Sequence, residues 1–414
     1  MKGGDRWHAM AGDAGGILPL GVRDVRLMFM HPSGQLFNTP CVVRFINELA
    51  GTSGFECSFV GVKNTCAPDG RFVESLKEVC YYPLVFKKRK EPFMHIFAGL
   101  PLYAGRLLFR TRPHLLVTFG LSGLIIGSLL SRISGTGLVY YNLEIYGPEY
   151  GRWKSLLLSM LESRLLDRVS LLVIHDSLRL GVYEKLLGKR AKNVAYFPNA
   201  PVRAHVSEPV RRRVAAMLDV RNDRKYIVYS GGLYPPVPLY EYVSQLGRLP
   251  DEWAMIFQSY DGESRFEVDE VMQGYIGQGR LIINRLPLDA DDYASLLSFC
   301  RIGLSHYSER SLNMNNVGLS SGKIAAYWRA GLPILVNSIP FYREVLKAEH
   351  SGMIYGCVDE IPSLVESIEA DYQRYSQGAS ACFNRYFDLT GYTGKVSAMI
   401  RDLVPSLPCR SGHP

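Results

Sequence analysis

The 414-residue sequence contains no CxxC pair, no Cys and His cluster at metal-ligand spacing and no GxxxxGK[ST] loop. Zinc-ribbon chemistry, thiol-disulfide exchange and P-loop nucleotide binding are therefore excluded as readings of local motif. Ser320-Ser321-Gly322-Lys323 lacks the first glycine at the Walker spacing. Long apolar runs are also missing. The most apolar stretch, Leu115 to Leu130, is shorter than the roughly 20 residues a membrane span needs and holds three glycines. It predicts a buried strand running into a buried helix. The opening MKGGDRWHAMAGDAGG has no apolar h-region, so no signal peptide is expected and residues 1–23 read as a disordered N-terminus. There are no heptads and no short internal repeat.

Acidic residues are scarce in one half. Residues 1–205 hold 26 Lys and Arg against 15 Asp and Glu, a net +11, while residues 206–414 hold 21 against 24. Basic residues do not alternate with aromatics as a base-stacking platform requires, so nucleic acid is not an expected partner. An anionic membrane surface is one, through residues 87–112. There seven Lys and Arg face the single acid Glu91, amid aromatic and aliphatic residues. The eight cysteines are scattered and read as buried thiols of a reducing compartment. These features predict a cytoplasmic chain, peripheral at the inner face of the plasma membrane.

What is present is globular: 47% hydrophobic and 21% charged residues. From Val25, short β-branched or aromatic runs alternate with amphipathic segments, the pattern of βα units on a parallel sheet. Expected strands are 26–30, 56–62, 78–85, 114–119, 137–145, 171–176 and 193–197. The proline-rich stretch PNAPVRAHVSEPVRRR then interrupts, and alternation resumes at 226–231, 253–259, 280–286, 301–307, 332–337 and 352–356, with one helix expected over 361–375. The prediction is α/β: two Rossmann-like domains over 24–200 and 207–385, with 386–414 a helix crossing back to the first domain and a tail. Such sheets bind ligands beyond the carboxyl ends of their strands, so a cleft between them is the default site.

The sharpest local signal is NNVGLSSGKIAAYWRAGLPILVNSIP (315–340). Small residues lead into Lys323 and a helix, whose free amides and positive dipole end suit a phosphate. An ordinary serine cap beside a solvated lysine explains the same residues. Glu144 and His31, at strand ends facing the cleft, are the catalytic candidates: Glu144 to orient or deprotonate an acceptor hydroxyl, His31 on the first strand-to-helix turn. His306 holds a similar strand-end position in the second domain. His175-Asp176-Ser177 reads as the cap of the next helix. Asp289, Asp291 and Asp292 read as a cap and first-turn dipole partners, and no metal is expected.

At this point a resemblance enters. SSGKIAAYWRAGLPILVNSIPFYREV resembles the donor-binding segment of GT-B glycosyltransferases of the large retaining family four. YFPNAP (196–201) resembles that family's interdomain segment. YIVYSGGL (226–233) resembles its first C-terminal strand with the glycine turn under the diphosphate, and LDADDYASLLSFCRIGLSHY (288–307) its helix-strand unit before the donor loop. The likeness covers most of residues 190–400; the N-terminal half matches only in its alternation. It implies a GT-B architecture and transfer from a nucleotide-diphosphate-sugar donor, with retention, to a glycan or lipid-linked acceptor in cell-surface polysaccharide biosynthesis, without a cofactor. The diphosphate would lie against Gly231, Gly232, Ser321, Gly322 and Lys323, with Asn315, Tyr327 and Arg343 as neighbours. The chain departs from the family at Ala326 and Gly318, where donor-holding glutamates are usual, and SGGLYPPVPLYEY has none of the family's basic pair. A catalytically silent GT-B scaffold subunit, or a nucleotide-sugar epimerase, therefore stays open as an alternative.

Overall fold

The computed structural model describes residues 25–32, 40–64, 76, 79–86, 98–259 and 267–404. Expectations for residues 1–23, for the Lys87–Lys90 basic run and for the tail from 405 lie outside them. Two parallel sheets are present. The first, in the order β3-β2-β1-β4-β5-β6-β7, contains β1 (Val25–His31), β2 (Phe55–Asn64), β3 (Val79–Phe86), β4 (Leu115–Phe119), β5 (Gly137–Tyr141), β6 (Leu171–Ile174) and β7 (Val194–Tyr196). The second, β10-β9-β8-β11-β12-β13, contains β8 (Lys225–Ser230), β9 (Trp253–Gln258), β10 (Leu281–Asn284), β11 (Cys300–Ser305), β12 (Ile334–Asn337) and β13 (Gly352–Tyr355). β4, β5, β6 and β9 are buried along their whole length, as sheets covered on both faces require.

Each sheet reverses its strand order once, between β1 and β4 and between β8 and β11. At such switch points the loops leave in opposite directions and open a crevice at the carboxyl ends. His31 and Gly120 lie beside the first crevice, Gly231 and His306 beside the second.

On one face of the first sheet α1 (Pro40–Ala50) buries Phe45, Ile46 and Leu49. On the other pack α2 (Leu100–Thr111), α3 (Gly120–Ser134), α4 (Arg152–Leu165) and α5 (Ser177–Leu187), neighbours in that order. The second sheet carries α6 (Glu208–Leu218), α7 (Leu239–Ser244), α8 (Glu270–Gly277), α9 (Ala290–Leu297), α10 (Leu312–Asn315), α11 (Gly322–Arg329), α12 (Pro340–Glu349), α13 (Ile361–Ala370) and α14 (Tyr372–Tyr386). The last helix, α15 (Leu389–Leu403), returns to the first sheet. It packs on β7 and α1, with Val396 and Ile400 fully buried. The Thr393 hydroxyl reaches Glu48 at 3.4 Å, and Arg401 donates to the Ser53 carbonyl at 2.8 Å. One apolar cluster runs from Phe29, Phe45 and Tyr141 through Phe197 and Val317 to Trp328 and Tyr342, so the two domains share a core.

Some expected elements change. The strand read over 137–145 stops at Tyr141, because the Asn142 side chain turns aside to Tyr140 and the buried Glu162. The single helix expected over 361–375 is two, broken at Asp371. Cys41, Cys57, Cys300 and Cys382 are buried free thiols, but Cys80 and Cys357 are exposed; Cys66 and Cys409 lie outside the described residues. No helix among the described residues is long and apolar enough to cross a membrane.

Candidate functional site

The cleft between the sheets is closed at its back by a polar staple. Asp176 caps α5, its Oδ1 accepting the Arg179 amide at 2.8 Å, while its Oδ2 accepts the Leu319 amide of the other domain at 2.9 Å. Arg179, fully buried, donates through Nη2 to the Leu143 carbonyl at 2.9 Å and to Asn313 Oδ1 at 2.5 Å, and through Nη1 to Ser320 Oγ at 3.4 Å. Asn313 Oδ1 also accepts the Ile145 amide at 3.1 Å. Glu149 takes the Ser311 hydroxyl at 2.8 Å and the Asn313 amide at 3.2 Å. Asn199, from the Pro-Asn segment, donates from its backbone to the Leu319 carbonyl at 2.9 Å and from Nδ2 to the Ser320 carbonyl at 3.0 Å. The linker and three elements of the first domain thus fix residues 311–321.

That loop delivers the chain into α11. Ser321 is its cap, Oγ accepting the Ile324 amide at 3.2 Å and bonded to the Tyr307 hydroxyl. The first-turn amides have no acceptor within the helix and carry its positive dipole end. Lys323 stands beside them, its ammonium 4.9 Å from the Tyr229 ring centre and 4.8 Å from that of Tyr307. A Cβ on Gly231 would come within 3.3 Å of Lys323 Nζ and 2.9 Å of Tyr229 Oη, so the glycine turn after β8 passes directly against the ammonium. No carboxylate among the described residues pairs with Lys323, and burial pushes its pKa down to about 8. A desolvated cation between two aromatic faces, at a helix N-terminus, fits a polyanion.

Beyond Tyr307 a cleft of about 500 Å³ opens at the carboxyl ends of β11, β12 and β13, lined by His306, Arg310, Asn337, Tyr355 and Val358 among others. His306 Nδ1 lies 3.1 Å from Tyr355 Oη, and that hydroxyl donates to the Ser305 carbonyl at 3.0 Å. Burial, and secondly the Lys323 charge, lower the His306 pKa, with Glu309 opposing. The imidazole is neutral at pH 7.

No protein-family model matches the chain, and no curated protein matches it in sequence. Solved structures do. Anabaena HepE in complex with UDP and glucose superposes with a TM-score of 0.67 at 16% identity, over 91% of this chain and 100% of that one. Sucrose-phosphate synthase from Thermosynechococcus elongatus gives 0.68 at 13%, over 92% and 100%. S. aureus MnaA with UDP gives 0.59 at 14%, over 94% and 99%. The chain has the GT-B fold.

In this GT-B chain, the structure brings Gly231, Ser321, Gly322 and Lys323 together. Gly232 follows in the same turn, packed on the Tyr234 ring. Tyr327 does not reach the cleft. It is fully buried under Gly303, and its hydroxyl takes the Ser230 amide at 2.8 Å and donates to the Leu304 carbonyl at 3.3 Å, so it positions the end of β8. Arg343 is exposed on α12, and Asn315 ends the short α10. It is Asn313, two residues earlier, that holds the other domain. His31 ends β1 almost fully buried against Phe119, ring centres 5.9 Å apart. Glu144 is exposed after β5, accepting the Tyr150 hydroxyl at 3.3 Å. Asp289 caps α9 through the Asp292 amide at 2.8 Å, and among the described residues no three His, Cys, Asp or Glu side chains gather as a ligand set.

The two positions that lack the family's carboxylates are both closed. Gly318 has φ +40°, and a Cβ there would lie 2.6 Å from Asp176 Oδ2. Ala326 is buried in the apolar cluster. Sequence reading missed Arg179, Asn313, Tyr229 and Tyr307. A tyrosine in a strand reads as core, and an arginine three residues after a cap reads as solvated, until the partner domain is present.

Proposed function

We propose that this protein is a glycosyltransferase that binds a nucleotide-diphosphate sugar in the second domain and transfers the sugar to a glycan or lipid-linked acceptor held by the first, in surface polysaccharide assembly. The observation that carries the reading is Lys323: a half-buried, carboxylate-free ammonium between two tyrosine rings, against a glycine turn and in the first turn of α11. These groups are fixed before any ligand arrives, so they stabilise charge on a leaving diphosphate without reorganising. The base or sugar would occupy the cleft bounded by His306 and Tyr355. Likeness to structures holding UDP favours a uridine donor. Glu144, exposed beyond β5 with the Tyr150 hydroxyl on it, would orient the acceptor hydroxyl, and His31 would shape the loop over the donor. Retention of configuration, and transfer without a metal or cofactor, follow the same reading.

Calorimetry against UDP, GDP and ADP tests it. Binding of one of the three, weakened in Lys323→Ala, is expected; no heat with any of them overturns it. A second reading, a silent GT-B subunit, is favoured by Gly318 and Ala326, whose surroundings leave no room for the donor-holding carboxylates. Sugar transfer by the isolated chain disposes of that reading, whereas nucleotide binding without transfer to any acceptor supports it.

A further inference from the structure

The outer surface of α2, α3 and α4 has an unusual composition. Every exposed residue of α4 is apolar or basic: Arg152, Trp153, Lys154, Leu156, Leu157, Met160, Leu161 and Arg164. Trp153, Leu156, Leu157, Met160 and Leu161 recur at the spacing of one helix face, with Trp153 77% and Leu157 65% exposed. On α3 the exposed residues are Leu129, Arg132 and Ile133; on α2 they are Leu102, Arg106, Phe109 and Arg110. None is acidic, and none is a neutral polar residue. The three helices lie side by side on the same face of the sheet, so these residues form one continuous surface.

Of the acids nearest it, Glu162 is buried and Glu149 and Asp167, though exposed, are engaged by partners. Glu162, the acid of α4, is turned inward, where Oε1 accepts the Tyr140 and Tyr183 hydroxyls at 2.7 and 3.0 Å. Glu149 is engaged by Ser311 and Asn313 of the other domain, and Asp167 pairs with Lys189 at 2.6 Å. A surface that must stay in water would intersperse acids and hydroxyls among its lysines and arginines. A surface meeting a second copy of itself would oppose like charges, since six Arg and Lys side chains stand here with no exposed carboxylate on these helices. Apolar side chains flanked by cations match a layer whose outer plane is negative and whose interior is hydrocarbon.

We infer that the α2–α3–α4 surface is a docking face for an anionic lipid bilayer, with Trp153 and Leu157 entering the acyl boundary and Arg106, Arg110, Arg152 and Arg164 meeting the headgroups. The inference stands on composition and exposure, independently of the donor site. It extends the expected contact, residues 87–112, from α2 onto α3 and α4.

Flotation with vesicles of phosphatidylcholine alone, and of phosphatidylcholine mixed with phosphatidylglycerol, tests it without any sugar acceptor present. The full chain should float with the anionic vesicles, and less as salt rises. Trp153→Ser combined with Leu157→Ser should abolish flotation, and Arg152→Ser with Arg164→Ser should weaken it on the order of tenfold. Circular dichroism checks that the variants fold; Leu102→Ser with Phe109→Ser on α2 is the replacement should the α4 variant fail to. Nucleotide binding should be unchanged in each, which separates this result from the fate of the proposed activity. Equal flotation with both vesicle types, or unchanged flotation in the apolar variants, overturns the inference. So does a dimer in sedimentation that the α4 variant dissociates while neither protein floats.

Discussion

Lys323 is the residue on which most depends. If its ammonium meets the charge that develops on the departing diphosphate, Lys323→Ala should lower kcat more than it raises KM, by about 2 to 4 kcal/mol in kcat/KM. Its lowered pKa adds a pH signature. In the free protein the proton leaves near 8, against an ordinary 10.5, and a bound polyanion must raise that value. UDP affinity should therefore fall as pH rises from 7 through about 8, and the slope should vanish in the alanine variant, as calorimetry across pH would record. Stability moves the other way. Below about 8 both folded and unfolded chains hold the proton; between there and 10.5 the unfolded chain holds more, so the lysine's contribution to folding improves with pH. Arg179 makes a different prediction. Its replacement by Ala removes its hydrogen bonds to Leu143, Asn313 and Ser320 and leaves the Leu143 carbonyl short of a donor inside the interface, at a cost of about 1 to 3 kcal/mol by urea denaturation. Lys323 was legible in the sequence because a small-residue entry to a helix is a local signal. Arg179 was not, because its meaning depends on a loop 134 residues away.

At the scale of elements, strands were the easiest to read, since burial on both faces leaves nearly unbroken runs of Val, Ile, Leu and Tyr. Helix starts marked by Asp or Ser were also legible: Asp176, Asp289 and Ser321 each accept an amide of the first turn. Ser321→Ala should cost about 1 kcal/mol of stability through the lost cap. It should also weaken UDP binding, because the same cap holds the first-turn amides toward the cleft. The reading failed at Asp371, which stands at the N-terminus of α14 but accepts no first-turn amide through its side chain. The break between α13 and α14 falls at Asp371, after which the chain turns to lay α14 along α11, a partner known only once the second domain is assembled. Gly318 shows the limit from the other side. Its departure from the family pattern was visible, but its cause, the Asp176 carboxylate against its Cα, belongs to the first domain. Gly318→Ala should destabilise the folded chain even though it adds one methyl group, because the left-handed backbone and the 2.6 Å approach both resist it.

For the whole molecule, two parallel sheets with a cleft between them followed from alternation; the reversal of strand order within each and the shared core did not. The return of α15 ties the far end of the chain to the first domain. Ile400→Ala should cost about 2 to 5 kcal/mol. Hydrogen exchange should rise in β7 and α1 rather than in the second sheet, against the position of the residue in sequence. That connection also orders events in time. During synthesis at about 5 to 20 residues per second, β7 is made roughly ten to forty seconds before α15 is available. For that interval the first domain exists without its final helix, and β7 and α1 lack the element that will pack on them. The second sheet is therefore synthesised in full before the first domain can gain its last helix, so the half of the cleft formed by β8 to β13 has all its residues ahead of the other half.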